Sequence, residues 1–229
     1  MKTRISIIIP VLNEAALVVQ TLSTLQPLRA VGHELILVDG GSDDATVALS
    51  EPWVDQIIRM SKGRSRQMNA GARCARGEIF LFLHTDTLLP EKADRLIING
   101  MGRGGRKWGR FDVRLSGGHF SLRIIEWLMN WRSRITGIAT GDQAIFVQRE
   151  LFERIGGFPN IELMEDVTLS KFLKRDGPPL CLWHRVITSS RRWEKNGIFR
   201  TVLLMWRLRL AYFLGSDPGR LAHLYEAPI

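Results

Sequence analysis

The sequence predicts an α/β protein of one domain, in which helices cover both faces of a mostly parallel central sheet. Short apolar runs alternate with longer segments whose apolar residues recur every three or four positions, the pattern of strands alternating with helices. Residues 79–83 are apolar throughout, as expected of a strand buried on both faces. Connections between the early elements are short, which favours parallel pairing through helical crossovers.

The first hundred residues supply four predicted strands, at residues 5–9, 35–38, 56–60 and 79–83. Pro10 is expected to stop the first strand. One predicted helix runs from residue 13 to Pro27, a second covers residues 62–76 before Gly77, and a third starts at Pro90. A short helix is also expected after residue 44. This part of the chain, residues 1–100, is predicted to form the first half of the domain.

The pattern changes after about residue 100. Residues 100–107 are rich in glycine and arginine and are predicted to form a mobile connection. Beyond them we expect strands at residues 110–115, 144–147 and 180–188, and helices at residues 120–131, 163–174 and 198–214. Residues 101–229 are therefore predicted to be the second half of one continuous domain, ending in an amphipathic helix.

Composition limits the class of protein. The 229 residues are 45% hydrophobic and 24% charged, and the net charge of +9 favours contact with phosphates, nucleic acid or anionic lipid. Cys74 and Cys181 have no metal or redox spacing, which suits a reduced cytoplasmic setting. Residues 5–12 lack the small-residue cleavage site of a signal peptide, and no run reaches the roughly 18 apolar residues of a membrane span. We therefore expect a cytoplasmic protein.

Polar side chains follow three of the predicted strands at the point where each ends. Parallel strands share one carboxyl edge, and ligands of open α/β sheets bind in the crevice beyond it. His84 and Asp86 follow the third of these strands, and together they could hold a divalent cation that in turn binds a phosphate. The alternative is that Asp86 only caps the helix that starts near Pro90.

Eight segments of the sequence resemble, in the same order along the chain, the motifs of family 2 glycosyltransferases with the GT-A fold. Each motif is weak alone, but eight in family order are specific, and they extend over nearly the whole chain. The chain is also similar in length and ending to small soluble bacterial members assigned to arsenosugar biosynthesis. The matching segments are residues 10–14, 38–46, 63–71, 83–87, 141–144, 156–158, 165–166 and 191–193.

The resemblance implies a nucleotide-sugar donor, usually linked to uridine. It also implies that residues 1–100 are the nucleotide-sugar-binding half and residues 101–229 the acceptor-binding half. Asp39 matches the residue that accepts a hydrogen bond from the base, and Arg64 or Arg66 matches the cation beside the phosphates. On the residues alone, Asp39 could instead hold a turn, and the arginines could form a solvated helix face. The other implied nucleotide contacts are Pro10, Asn13, Glu14, Gly40 and Thr85.

The resemblance also implies a metal cofactor, Mg²⁺ or Mn²⁺, although the sequence departs from the family's Asp-x-Asp motif. His84 replaces the first Asp, whereas Asp86 keeps the position that usually binds the metal. A single carboxylate with diphosphate oxygens and waters suits Mg²⁺, and an imidazole ligand favours Mn²⁺. His84 therefore either supplies the ribose or second metal contact that the missing carboxylate normally makes, or points into the sheet edge.

For catalysis, the resemblance implies a single displacement that inverts the sugar's anomeric centre. Asp166 matches the general base, and Glu165 is expected to support the acceptor. Both acids also suit a helix N-terminus, whatever their chemistry. Asp142, Gln143 and Trp193 are expected to contact the acceptor or donor sugar, with a core position as the alternative for Trp193. The Gln that leads the Arg-Trp motif of processive members is absent, so polymer synthesis is not expected.

Two other classes compete with an inverting nucleotide-sugar transferase. A sugar-phosphate nucleotidyltransferase or a dinucleotide-dependent oxidoreductase needs a glycine-rich loop after the first strand, where this chain has residues 10–14. A non-catalytic basic protein that binds nucleic acid or membrane explains the charge but leaves Asp39, Asp86 and Asp166 without a purpose. We expect a small-molecule or lipid-linked acceptor and no nucleic-acid partner. The last helix either attaches to a membrane surface or packs on the protein.

Overall fold

The computed structural model describes residues 3–226, apart from the side chains of residues 192, 196 and 226. One sheet contains the described strands β1 (Ile5–Val11), β2 (Glu34–Asp39), β3 (Gln56–Arg59), β4 (Ile79–Phe82), β5 (Thr87–Leu88), β6 (Trp108–Leu115), β7 (Phe146–Gln148) and β8 (Leu180–Thr188). The described helices are α1 (Ala15–Ala30), α2 (Thr46–Ser50), α3 (Arg64–Cys74), α4 (Ala93–Gly104), α5 (Phe120–Thr136), α6 (Arg149–Arg154), α7 (Glu165–Leu173), α8 (Arg191–Asn196), α9 (Ile198–Phe213) and α10 (Pro218–Glu226).

The strands follow the order β3-β2-β1-β4-β7-β6-β8-β5. The pairs among β3, β2, β1 and β4 are parallel, as is β6 with β8, whereas β7 runs antiparallel to both its neighbours and β5 runs antiparallel to β8. The predicted α/β class with a mostly parallel sheet is confirmed. Because β1, β2 and β4 are parallel, their polar carboxyl-end segments meet at one edge of the sheet, where the candidate site lies.

The predicted burial of the fourth strand on both faces is confirmed. Ile79 and Leu81 belong to the apolar cluster on one side of the sheet, and Phe80 and Phe82 belong to the cluster on the other side. Phe82 also packs edge-on against Phe158, with ring centroids 4.8 Å apart. These two layers fix the end of β4, and so the segment that carries His84 and Asp86.

Two prolines do not interrupt their elements as predicted. Pro10 lies within β1, which continues to Val11 beside Asp39 of β2. Pro10 is tolerated because β4 pairs with β1 only as far as Ile8. At position 10 this side of β1 therefore has no strand partner to which a backbone N–H would donate. Pro27 lies within α1, which runs to Ala30.

The prediction of a mobile connection at residues 100–107 is wrong for its first part, because α4 continues to Gly104. Ile97 and Met101 of this helix are buried in the core. A side chain at Gly100 would meet Leu180 of β8 at 2.6 Å, so the glycine permits close packing between α4 and the sheet. At this position the glycine indicates close contact, not mobility.

The C-terminal part contains two helices that the sequence did not predict, α8 and α10. The predicted last helix is α9, and it is followed by α10, whose Leu221 packs with Leu208 of α9 and Met164 before α7. None of the described helices is both long and apolar enough to cross a membrane. The division into halves near residue 100 stays a prediction, and its ends at residues 1–2 and 227–229 lie outside the described residues.

Candidate active site

Three adjoining cavities lie at the carboxyl edge of the sheet. The central cavity, about 270 Å³, is lined by residues that include Glu14, Asp86 and Asp142. The inner cavity, about 90 Å³, lies beside Glu165 and Asp166, and the outer cavity, about 450 Å³, lies beside Lys62 and Arg66. Arg64 and Tyr225 border all three, so the cavities form one cleft. The other lining residues from the sheet edge and nearby helices include Pro10, His84, Thr85, Trp193, Thr201, Met205 and Arg209.

The loop after β1 is tied to the loop after β2. Asn13 adopts a left-handed backbone with φ of 53°, which asparagine tolerates better than most residues. Its side-chain oxygen accepts a 3.0 Å bond from the amide of Asp43, and its own amide donates to Ser42 at 2.9 Å. The amide of Glu14 donates to Thr46 at 2.8 Å. Asn13 therefore holds the two loops together, and Glu14 follows at the cleft.

Asp39 ends β2 and is 2% exposed. Its carboxylate accepts hydrogen bonds from the amides of Gly41, at 3.1 Å, and Ser42, at 3.1 and 3.2 Å. A side chain at Gly40 would lie 3.1 Å from the amide group of Gln67, which donates to the carbonyls of β1 and β2. Asp39 and Gly40 thus shape the turn, and neither is among the residues lining the three cavities. Nucleotide contact by these two residues stays a prediction.

His84 and Asp142 meet between the central and inner cavities. Nδ1 of His84 lies 3.6 Å from Oδ1 of Asp142, and the ring packs so closely over Gly141 that an added Cβ there would lie 2.6 Å from it. Burial alone would raise the pKa of Asp142, but the hydrogen bond and charge of His84, with Arg64 and Arg209, lower it overall. The imidazole therefore faces a carboxylate rather than the sheet core.

Asp86 and Glu14 both line the central cavity. The pKa of Glu14 is raised, first by burial and then by the negative charge of Asp86. Two carboxylates that repel each other in a cavity are an arrangement that a divalent cation relieves. Among residues 3–226, no group of three or more His, Cys, Asp and Glu side chains is arranged to hold a metal by itself. A cation here needs further ligands from elsewhere.

The start of α7 presents two adjacent acids to the inner cavity. Asp166 accepts the amide of Gly141 at 2.8 Å through Oδ2 and the amide of Val167 at 2.7 Å through Oδ1. Glu165 is 4% exposed and lies 3.8 Å from Arg64. Burial, and then the charge of Asp166, raise the pKa of Glu165 to about 7, although Arg64 opposes this. Glu165 therefore keeps its proton to a higher pH than an exposed glutamate does.

Cationic side chains surround the outer cavity. Gly63 has a φ of 153°, and α3 starts directly after it with Arg64, whose side chain is half exposed. Arg66 is exposed and donates to the carbonyl of Lys62. Three cations from one turn of chain thus border this cavity, a suitable environment for phosphate oxygens.

The structure brings most of the predicted site residues to the cleft, but Gln143, like Asn13, Asp39 and Gly40, lines none of the three cavities. The side chain of Gln143 is fully buried: it accepts the amide of Thr140 at 3.2 Å and lies 3.4 Å from Oδ1 of Asn130, to which it donates. Trp193 lines the central cavity and also packs against the cluster of Leu115 and Leu122, so its contact with a sugar stays a prediction. Thr85 is 4% exposed at the cavity edge and donates to Pro10 at 3.4 Å.

The wall of the cleft that α9 and α10 supply was not predicted from the sequence. Met205 and Arg209 of α9 and Tyr225 of α10 line the cleft. The periodic apolar residues of α9 predicted its helical structure, but not which face would meet the site. No motif marks α10, so Tyr225 had no signal that could have found it.

A sequence model of the family described as Glycosyl transferase family 2 matches residues 6–151, more than half of the chain. The chain belongs to glycosyl transferase family 2. This family member has no significant match among curated protein sequences. Its likeness to the members assigned to arsenosugar biosynthesis stays a prediction.

Solved structures confirm the GT-A fold of the glycosyltransferase. TarS from S. aureus has a TM-score of 0.67 at 15% identity, with 81% of this chain and 36% of the TarS chain covered. TarS residues 1–349 in complex with UDP-GlcNAc has a TM-score of 0.66 at 15% identity, covering 81% and 58%. The mannosyltransferase PcManGT from Pyrobaculum calidifontis, in complex with GDP-Man and Mn²⁺, has a TM-score of 0.67 at 20% identity, covering 98% and 69%. The glycosyltransferase thus spans little more than a third of full TarS.

Proposed function

We propose that the enzyme transfers a sugar from a nucleotide diphosphate sugar to an acceptor hydroxyl, with inversion of the anomeric centre. The observation that carries the proposal is the single cleft in which Asp86, Asp166 and Arg64 meet, although they are far apart in sequence. One end of this cleft is cationic and the other holds a carboxyl pair. These are the two requirements of the reaction: charge stabilisation of a leaving diphosphate and a base for the acceptor.

The donor is proposed to lie with its diphosphate between the central and outer cavities. Lys62, Arg64 and Arg66 border the outer cavity and would pair with phosphate oxygens. The complexes of TarS with UDP-GlcNAc and of the mannosyltransferase with GDP-Man support a nucleotide-sugar donor. We propose a uridine base, because Asp39 ends β2 at the position that matches the family's base-contacting residue.

A divalent cation, Mg²⁺ or Mn²⁺, is proposed to bind at Asp86. Glu14, whose carboxylate repels that of Asp86, and His84, which lines the same cavity, are the nearest further ligands. The Mn²⁺ in the mannosyltransferase complex supports this choice. When bound, the cation would supply positive charge to the departing diphosphate. Because the protein offers few ligands, phosphate oxygens and waters would complete the coordination shell.

Asp166 is proposed to be the general base. It would take the proton of the acceptor hydroxyl while that oxygen bonds to the anomeric carbon, and the bond from this carbon to the diphosphate oxygen would break on the opposite face. Both oxygens of Asp166 accept backbone amides, which fix the orientation of the carboxylate. Glu165 is proposed to support the acceptor, since its raised pKa lets it donate a hydrogen bond near neutral pH.

The proposal is tested by incubating the enzyme with nucleotide sugars and measuring nucleoside diphosphate release, with the product's anomeric configuration determined by NMR. Replacing Asp166 with Asn should lower kcat by about 10²–10⁴-fold, because the base is lost while the shape is kept. Glu91→Gln, an exposed acid that lines none of the three cavities, is the matched control and should keep full activity.

Several outcomes would count against the proposal. An unchanged kcat in Asp166→Asn would remove Asp166 as the base, and a product that retains the donor's configuration would exclude single displacement. Pyrophosphate release from a nucleoside triphosphate and a sugar phosphate, with no transfer from nucleotide sugars, would favour the nucleotidyltransferase alternative. The assay is run with soluble and lipid-linked acceptors, since the acceptor class is itself a proposal.

A further inference from the structure

Helix α5 carries a stripe of large apolar side chains on its solvent side. These residues are 43–78% exposed and, apart from the adjacent Trp127 and Leu128, follow one another at intervals of three or four positions, so they share one face of the helix. At about 100° per residue the stripe is roughly 100° wide. Its members are Phe120, Ile124, Trp127, Leu128, Trp131 and Ile135.

Helix α9 carries a second stripe with nearly the same spacing. Its side chains are 59–85% exposed, and five of them stand at the same offsets from the first residue as their counterparts on α5. Aromatic residues occupy the first and third of these positions in both helices. The members of the α9 stripe are Phe199, Leu203, Trp206, Leu210, Phe213 and Leu214.

The stripes are not the inner faces of poorly packed helices, because both helices already bury a different face. Leu122 and Ile125 of α5 pack in a cluster that also takes Val202 of α9, and Leu208 of α9 packs with α10. Monomeric soluble proteins rarely expose contiguous apolar patches of more than a few hundred Å² without a binding role. Twelve large side chains on two neighbouring helices therefore indicate an interaction surface.

The charges of these helices identify the kind of partner. The two helices contain six arginines, of which Arg123 and Arg134 form ion pairs with acids, Arg132 is half-buried and Arg209 lines the cleft. Their one acid, Glu126, is buried and accepts the amide of Leu115. On α9, Arg200 and Arg207 are exposed beside the stripe. Four tryptophans stand exposed on α5, α9 and β8, among them Trp183, over which Arg134 lies 3.4 Å from the ring centroid. Apolar stripes with arginine flanks and exposed tryptophans match a membrane–water interface with anionic lipid.

We propose that the stripes of α5 and α9 dock the enzyme on an anionic membrane surface, with each helix lying along the interface rather than crossing it. Apolar side chains would enter the headgroup boundary while the flanking arginines contact lipid phosphates. A second copy of this chain would instead bring Arg200 and Arg207 of both copies to the same apolar interface, which like charges oppose. This inference goes beyond glycosyl transfer and does not depend on the identity of the donor.

The test is flotation of the purified enzyme with vesicles of phosphatidylcholine alone or with added phosphatidylglycerol. The enzyme should float with the anionic vesicles, and added salt should weaken binding. Trp206→Glu on α9 and Trp127→Glu on α5 should each lower the partition coefficient by roughly tenfold, because each puts a charge in the apolar stripe. Arg200→Glu with Arg207→Glu should weaken binding to anionic vesicles while keeping both stripes intact.

Leu49→Glu is the matched control, since Leu49 is 40% exposed on α2 and belongs to neither stripe. It should bind vesicles like the parent enzyme, and thermal unfolding should show that all variants are folded. The absence of vesicle binding by the folded parent enzyme would overturn the proposal. So would full binding by both tryptophan variants, or a parent dimer that these variants convert to monomer.

Discussion

At the scale of single residues, Glu165 couples the site to pH. Its pKa rises from the ordinary 4.5 to about 7 on folding, so the folded protein binds more protons than the unfolded chain between these values. The free energy of unfolding should therefore fall as pH rises through this window. Glu165→Gln cannot titrate, so its free energy of unfolding should lack this fall. In the parent, at 1.36 kcal/mol per pKa unit, the fall should be roughly 3 kcal/mol. Urea unfolding of both proteins at a series of pH values measures it.

The control for Glu165 is again Glu91→Gln, an exposed acid outside the cleft, which should leave the pH dependence of the parent intact. Identical pH slopes for the parent and Glu165→Gln would contradict the prediction. They would mean that Glu165 releases its proton as readily in the folded protein as in the unfolded chain.

Residues differ in how far the sequence could predict their place. Asp86 and Asp166 follow motifs, and the parallel strands bring the first of them to the cleft as expected. Gln143 belongs to a motif as well, but its buried partners, Thr140 and Asn130, come from a local turn and from another helix. A motif states which residue type occupies a position, whereas burial depends on elements that pack against it from elsewhere in the chain.

At the scale of elements, a buried ion network joins β6, α5 and β8. Arg110 is fully buried and donates to Asp112, which also accepts a 2.8 Å bond from Arg134 of α5. Arg134 reaches the carbonyl of Cys181 on β8 at 3.2 Å. Asp112→Ala would leave the guanidinium of Arg110 buried without its counter-charge. We expect it to lower the free energy of unfolding by about 3–5 kcal/mol, measured by denaturant unfolding.

The double variant Arg110→Met with Asp112→Leu tests the cause of that loss. It removes both buried charges, so it should destabilise the protein less than Asp112→Ala does. Equal losses in the two variants would indicate that packing volume, not the uncompensated charge, dominates at this position.

Elements with a clear local pattern were predictable, and those set by distant contacts were not. The bounds of β8, Leu180–Thr188, agree with the sequence prediction. Its parallel pairing with β6 could not be predicted, because no local pattern specifies which strands become neighbours. The same holds for Gly100, which lies against Leu180 of β8: the local sequence shows a glycine, and only the fold shows why it is needed.

At the scale of the whole molecule, donor and cation should stabilise the fold together. A ligand at 100 times its dissociation constant adds about 2.7 kcal/mol to the free energy of unfolding. We expect uridine diphosphate with Mn²⁺ or Mg²⁺ to raise the melting temperature of the enzyme, and a chelator to cancel the rise. Asp86→Ala should lose the metal-dependent part, because its carboxylate is the proposed protein ligand.

Guanosine diphosphate is the comparison ligand for this thermal-shift measurement, and Glu91→Gln is the control variant. A larger rise with guanosine than with uridine diphosphate would overturn the proposed base. A rise that is the same with metal and with chelator would remove the cation from the site. If Asp86→Ala shows the same metal-dependent rise in melting temperature as the parent, the metal does not bind at Asp86.

Helix α9 takes part in two surfaces at once. Thr201, Met205 and Arg209 line the cleft, while Trp206 and Leu210 belong to the stripe on its other side. A ligand that shifts this helix at one surface changes the free energy of binding at the other, and such coupling is reciprocal. If binding to a lipid surface raises the affinity of the enzyme for the donor by some factor, binding of the donor raises its affinity for the lipid surface by the same factor. The donor-bound enzyme would then be the form that stays at the bilayer, and the enzyme without donor would be the form that dissociates from it.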